Sequence, residues 1–238
     1  MAFGFSRSTG LTVLLIIFSV IPLKADSFAA RLSWSVSGSI FYFAADNGKQ
    51  GADPAPILPS LGAAAALMIS GPIGIELTED LYFTNYEYNT KHDYPMACNP
   101  ENRSAFVLGF LTGLQATARF PISQNGIYTR VNIGPVADLR VVTLAVGLNH
   151  PDDFTGELET DAQMQTDAIR AHFWSKGRWF MFTTGAGMDF PINEKFFLGF
   201  DARIWAPVYR LWTDKDIPDI DGWRFGLGFR ITPRKSVK

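Results

Sequence analysis

The stretch Trp223 to Ile231 limits what this chain can fold into more than any other. Trp223, Phe225, Leu227, Phe229 and Ile231 fall on one face, and Arg224, Gly226, Gly228 and Arg230 on the other. A period of two is the signature of a strand with one apolar side and one polar or small side. Such a strand cannot stand alone in water. Its aromatic face needs a partner layer, a membrane, or both. The rest of the chain is therefore expected to supply matching strands, so that this one closes a sheet on itself.

The same pattern recurs upstream. Leu32, Trp34, Val36, Gly38, Ile40 and Tyr42 alternate with Ser33, Ser35, Ser37, Ser39, Phe41 and Phe43, a first strand with a serine-lined inner face. A polar, Gly- and Pro-rich link (Ala45 to Pro59) leads to Leu61, Ala63, Ala65, Leu67 and Ile69, and this second strand stops at the Gly71-Pro72 turn. In the third, Ile73, Ile75, Leu77, Leu81 and Phe83 oppose Glu76, Thr78, Asp80 and Tyr82. Glu79 breaks the apolar face, and a nearby bulge that re-phases the strand is expected. After a hydrophilic segment (Glu87 to Ser104), a fourth strand sets Phe106, Leu108, Phe110, Leu114 and Phe120 against Gly109, Gly113, Gln115, Thr117 and Arg119.

An internal similarity follows. Phe120-Pro121-Ile122, a short turn and Ile127 to Arg140 resemble Phe190-Pro191-Ile192, a short turn and Phe196 to Arg210. Strand five opposes Ile127, Thr129, Val131 and Ile133 to Tyr128, Arg130 and Asn132. Strand seven opposes Phe196, Leu198, Phe200, Ala202 and Ile204 to Gly199, Asp201, Arg203 and Trp205. Because proline removes a ladder donor, Pro135 and Pro207 are expected near strand ends, at bulges, or above a membrane. Strand six carries Phe180, Phe182, Thr184, Ala186 and Met188 away from Trp179, Thr183, Gly185 and Asp189. The segments Asn149 to Ala168 and Thr213 to Asp221 read as loops, the first with room for a helical turn.

Short and long links alternate strictly along these eight strands. An up-and-down antiparallel barrel produces that order, with tight turns at one rim and large loops at the other. The fold class expected is therefore all-β: an eight-stranded transmembrane barrel with its apolar side outward. Composition agrees, since charged residues are 18% and Phe occurs 20 times, against about 25% charge in soluble domains. The N-terminus reads as an export signal over residues 1–25: Arg7, the apolar core Leu11 to Leu23, and a cleavage site at Leu23-Lys24-Ala25, leaving 26–238 as the barrel. That core is too short to span a bilayer, which takes about 20 residues. No other segment is long enough either, so a membrane location requires a closed sheet.

Built this way, the chain resembles the small eight-stranded outer-membrane barrels of bacteria, the OmpA- and OmpW-like class. Arg224, Gly226, Phe229 and Ile231 resemble that class's C-terminal assembly signal, a polar residue, glycine two on, and hydrophobic residues five and seven on. The resemblance implies a bacterial outer-membrane location, periplasmic turns and extracellular loops. It implies outer-membrane lipid and the barrel assembly machinery as partners. It also implies a narrow channel or porin-like role for small or hydrophobic solutes. The alternative is a surface scaffold or adhesin whose long loops bind host or environmental ligands. Some members of the class modify lipids, a third and weaker reading.

The inner face gathers Glu76, Asp80, Arg119, Arg130, Asp201, Arg203, Arg224 and Arg230. Eight strands leave an interior just wide enough for side chains, so these charges must be paired or hydrated. Two outcomes stay open: a salt-bridged plug, or a narrow polar conduit. Catalytic residues are not expected. The histidines are His92, His150 and His172, and only His172 has a nearby serine, Ser175, three residues on and facing the other way if both lie on a strand. Neither a metal site nor a cofactor is expected from three scattered histidines and the single Cys98. A net charge of −2 argues against nucleic acid. Trp34, Tyr42, Trp212 and Trp223 are candidates for an interfacial aromatic girdle. A soluble lipocalin-like barrel would need the opposite sidedness.

Overall fold

The computed structural model describes residues 31–44, 57–88, 103–145, 170–171, 173–212 and 222–234. The export signal, His92, Cys98, His150, His172 and the loops Asn149 to Ala168 and Thr213 to Asp221 lie outside the described residues.

Eight antiparallel strands close into one barrel in sequence order. They are β1 (Leu32–Ala44), β2 (Ile57–Ser70), β3 (Ile73–Tyr88), β4 (Arg103–Pro121), β5 (Tyr128–Ala145), β6 (Phe180–Pro191), β7 (Phe196–Ala206) and β8 (Trp223–Pro233). Closure is made by β8 against β1, from Val36 opposite Ile231 to Ala44 opposite Trp223. Sidedness follows the alternation. Leu227 is 70% exposed and Phe200 54%, whereas Arg130, Asp201 and Arg224 are buried inside. This inverts a soluble protein: the exterior wall is apolar and the interior is ionic. The aromatic candidates Trp34, Tyr42, Trp212 and Trp223 are all exposed.

The two repeated hairpins are closed by the same residue type. Ile122 N–H donates to the Ile127 carbonyl at 2.8 Å, and Ile192 N–H donates to that of Phe196 at 3.1 Å. Both turns share a rim with Gly71-Pro72.

Four expectations need correction. Strand β2 begins at Ile57, inside the expected link, because its opening alternation (Ile57 out, Leu58 in, Pro59 out, Ser60 in) is interrupted by proline. No bulge re-phases β3 at Glu79: the ladder runs unbroken through Glu79 opposite Ala63 on one side and Thr112 on the other. The register shift in β2 lies instead between Met68 and Ser70, beside the turn. Pro135 sits in the middle of β5 rather than near its end; the β4 pairing lapses across Leu114–Gln115 and resumes in the same register. Pro207 does lie just past β7, where it leads into a 3-10 turn, Val208–Leu211. Finally, Ser175 belongs to a 3-10 turn (Ser175–Gly177) and not to a strand.

Candidate functional site

The interior is the only place where the described residues concentrate chemistry, and it is built in three layers. Nearest the short-turn rim lies a chain of alternating charge. Asp189 accepts from Arg130 at 2.9 Å and forms an ion pair with Arg119 at 3.2 Å. Arg130 reaches on to Asp201. Arg230 then joins Asp201, at 3.0 Å, to Glu76, at 3.2 Å. Six of the barrel's eight strands, β3 to β8, are tied by this chain, each through one inward side chain.

One step up, Arg203 donates to both oxygens of Asp80, at 2.6 and 2.9 Å, and to Ser39 Oγ at 3.1 Å. Two-pronged pairing of this kind is the geometry that best compensates buried charge. Arg203 also lies 5.0 Å from the Trp205 ring centroid, so it joins the ionic layer to the one above.

The middle layer is aromatic and aliphatic. Phe41 and Trp205 pack with centroids 4.7 Å apart, and Tyr82 contacts Phe41 and Phe43 at 6.3 and 5.8 Å. Leu58, Leu111, Val136 and Met181 complete it, all buried. Two glycines make room. A Cβ on Gly109 would fall 2.1 Å from the Tyr82 ring, and one on Gly226 2.7 Å from that of Trp205. Above this layer Asp138 accepts from Tyr82 Oη at 2.8 Å, from Arg140 Nε at 2.7 Å and from Arg224 Nη2 at 2.5 Å. Arg224 stacks over Phe43 at 4.3 Å and is 0% exposed.

All eight charged residues singled out from sequence point inward, and they are brought together in two groups. Seven belong to the lower layers; Arg224 belongs to the upper one, with Asp138 and Arg140. Asp138, Arg140 and Asp189 were not among those eight. Asp189 was already visible on the polar face of strand six. Asp138 and Arg140 keep the phase of Arg130 and Asn132, and the signal for them was the alternation continuing past Pro135.

Space inside is scarce. A polar cavity of about 40 Å³ lies near the short-turn rim, lined among others by Ser33, Ser35, Glu76, Thr117, Arg119 and Arg230. It has room for a few waters and nothing larger. Among the described residues, no group of three or more His, Cys, Asp or Glu is arranged to hold a metal ion. Of the assembly-signal residues, Arg224 and Gly226 face the lumen while Phe229 and Ile231 face outward, as alternation requires.

No protein-family model matches the chain, and no curated protein does. Among solved structures it is similar to Neisserial surface protein A, at 11% identity and a TM-score of 0.45, covering 86% of this chain and 97% of that one. It is also similar to the outer membrane protein OprG from Pseudomonas aeruginosa, at 13% identity and a TM-score of 0.42, covering 84% and 95%. Ail, the attachment invasion locus protein of Yersinia pestis, matches at 8% identity and a TM-score of 0.42, covering 86% and 97%.

Proposed function

We propose that this protein is an outer-membrane β-barrel with a sealed lumen, whose work is done by the long-loop rim and the outer wall. Exposed Ile, Leu, Phe and Trp side chains on every strand support the membrane part. In water such a surface would aggregate; in lipid it is the favoured one. Closure of the ladder leaves no unpaired edge in hydrocarbon.

The observation that carries the sealed reading is the packed middle layer. Phe41, Tyr82 and Leu111 are fully buried across the width of the lumen, with a paired ionic layer on each side. A conduit for small solutes would have to displace aromatic rings and separate buried ion pairs at once. The geometry therefore favours the anchor or scaffold role over the porin-like one. Ligands, whether host or environmental molecules, would meet the long segments between β1 and β2, β3 and β4, β5 and β6, and β7 and β8. The residues Arg224, Gly226, Phe229 and Ile231 would be read by the assembly machinery before β8 is paired. Residues 1–25 would be removed on export.

The test is reconstitution of the mature chain into planar lipid bilayers. A sealed barrel gives no conductance steps above the lipid background across a range of voltages. Reproducible steps from the purified, folded barrel would sink the sealed reading and restore the channel.

A further inference from the structure

We propose that the short-turn rim carries a binding site for the phosphate headgroup of an anionic phospholipid, built on Lys195 and Arg234 where the apolar wall ends. The proposal rests on the membrane reading above.

The turn between β6 and β7 is fixed by Asn193, whose Oδ1 accepts from the N–H groups of Lys195 and Phe196 at 2.8 and 2.9 Å. Arg234, just past β8, is tied to the same turn three times. Its N–H donates to the Lys195 carbonyl at 2.7 Å, and its Nη1 donates to the Asn193 carbonyl at 2.9 Å. Its guanidinium lies 4.9 Å from the Phe197 ring centroid. The fold thus holds two cations on touching stretches of backbone, and both are exposed. Neither forms an ion pair among the described residues, whereas the carboxylates of the lower ionic chain are each matched to arginine. Glu194, the acid in this turn, is exposed and pairs with neither. Two like charges kept together without a counter-charge are a site for an anion, and phosphate accepts from both.

Depth selects a lipid as the source of that phosphate. Exposed Ile192 and Phe196 flank the turn, and exposed Ile231 precedes Arg234 by three residues, about 10 Å of strand. Cations so close to the end of an apolar wall stand in the headgroup layer, where long basic side chains reach phosphate and favour anionic lipid. Charge along the barrel axis has the matching sign. Across the short connections 71–72, 122–127 and 192–195 and the tail 234–238, Glu194 is the one acid, against Lys195, Arg234, Lys235 and Lys238. Asp26 and Arg31, ahead of β1, offset each other. At the other rim, the segments 45–56, 89–102, 146–169 and 213–221 have Lys49, Lys91 and Lys215 as their only Lys or Arg, among acids that include Asp152, Asp153, Glu157 and Glu159. Anionic headgroups are therefore drawn to the short-turn rim and repelled from the long-loop one.

The experiment titrates the mature chain, folded in dodecyl maltoside micelles, with phosphatidylglycerol or phosphatidylcholine. Mass spectrometry under conditions that keep lipid bound counts the molecules retained. Phosphatidylglycerol should be held about tenfold more tightly than phosphatidylcholine, and less so at high salt. Lys195→Gln combined with Arg234→Gln should remove that preference, whereas Lys195→Arg combined with Arg234→Lys should keep it. Glu194→Gln should strengthen it. Lys176→Gln, which removes an exposed cation at the opposite rim, should leave it unchanged. Vesicle flotation and the heat-dependent gel shift of each variant separate the outcomes. Failure to float with phospholipid vesicles overturns the membrane reading itself. Floating, folded barrels that hold both lipids equally overturn the headgroup site alone, as does a double Gln variant that keeps its preference. A loss of the same size in Lys176→Gln also overturns it, since charge at either rim would then suffice. Displacement of the lipid by inorganic phosphate at equal concentration would show a free-anion site in its place.

Discussion

Asp201 holds two arginines at once, Arg130 and Arg230, and so links the two ends of the lower ionic chain. Removing one partner of a buried ionic set leaves charge that neither water nor protein compensates. Asp201→Ala should therefore destabilise the barrel by about 3 kcal/mol, read as a shift of the urea midpoint for unfolding in detergent or lipid. Gly109 tests the layer above. Gly109→Val would drive a methyl into the Tyr82 ring, and overpacking of this kind costs about 1–3 kcal/mol, measured in the same assay. An unchanged midpoint in either variant would mean that the lumen is looser than its geometry. The lumen's chemistry was largely legible in the sequence, because inward positions follow from alternation alone. Which arginine meets which carboxylate was not. Arg203 and Asp80 are 123 residues apart, and only the shear of the closed sheet brings them to one height.

Strands were legible where the period of two was uninterrupted, as in β1, β7 and β8. They were misread where proline intervened. Pro59 hid the start of β2, and Pro135 hid the upper half of β5 with its Asp138 and Arg140. A proline in a ladder is usually a boundary signal, since it offers no N–H. Here the long strands on both sides hold β5 straight through the gap. That gap should be a local weak point. Hydrogen exchange in micelles should be faster at Leu114 and Gln115 than at Leu111 and Thr112, where the pairing is continuous. Uniform protection along β4 would show that the lapse carries no energetic weight. Glu79 teaches the converse. An off-pattern residue suggested a register slip, yet an unbroken ladder on both sides outweighed the pattern, and the carboxyl was kept on the wall.

The whole barrel combines a shell held by a closed hydrogen-bond ladder with a core held by ion pairs and rings. Folded and boiled samples should therefore migrate differently in detergent gels, with the compact form running ahead until heat opens the ladder. Co-migration at all temperatures would exclude a detergent-resistant barrel. Fold class, sidedness and strand number were readable because they depend on local pattern and on link lengths. The sealed lumen was not readable, since it depends on how far Phe41, Tyr82 and Trp205 reach across the barrel from three different strands.

Pairing of β8 with β1 has a further consequence. The first strand made has no second neighbour until the last one arrives, so nothing short of the full set is protected from lipid or protease. Topologically, though, no seam is privileged. A circular permutant cut at Gly71-Pro72, with a short hairpin joining Pro233 to Trp34, would present the same ring of neighbours in a new order of synthesis. It should reach the same compact form, but by a route in which today's final seam becomes an ordinary hairpin.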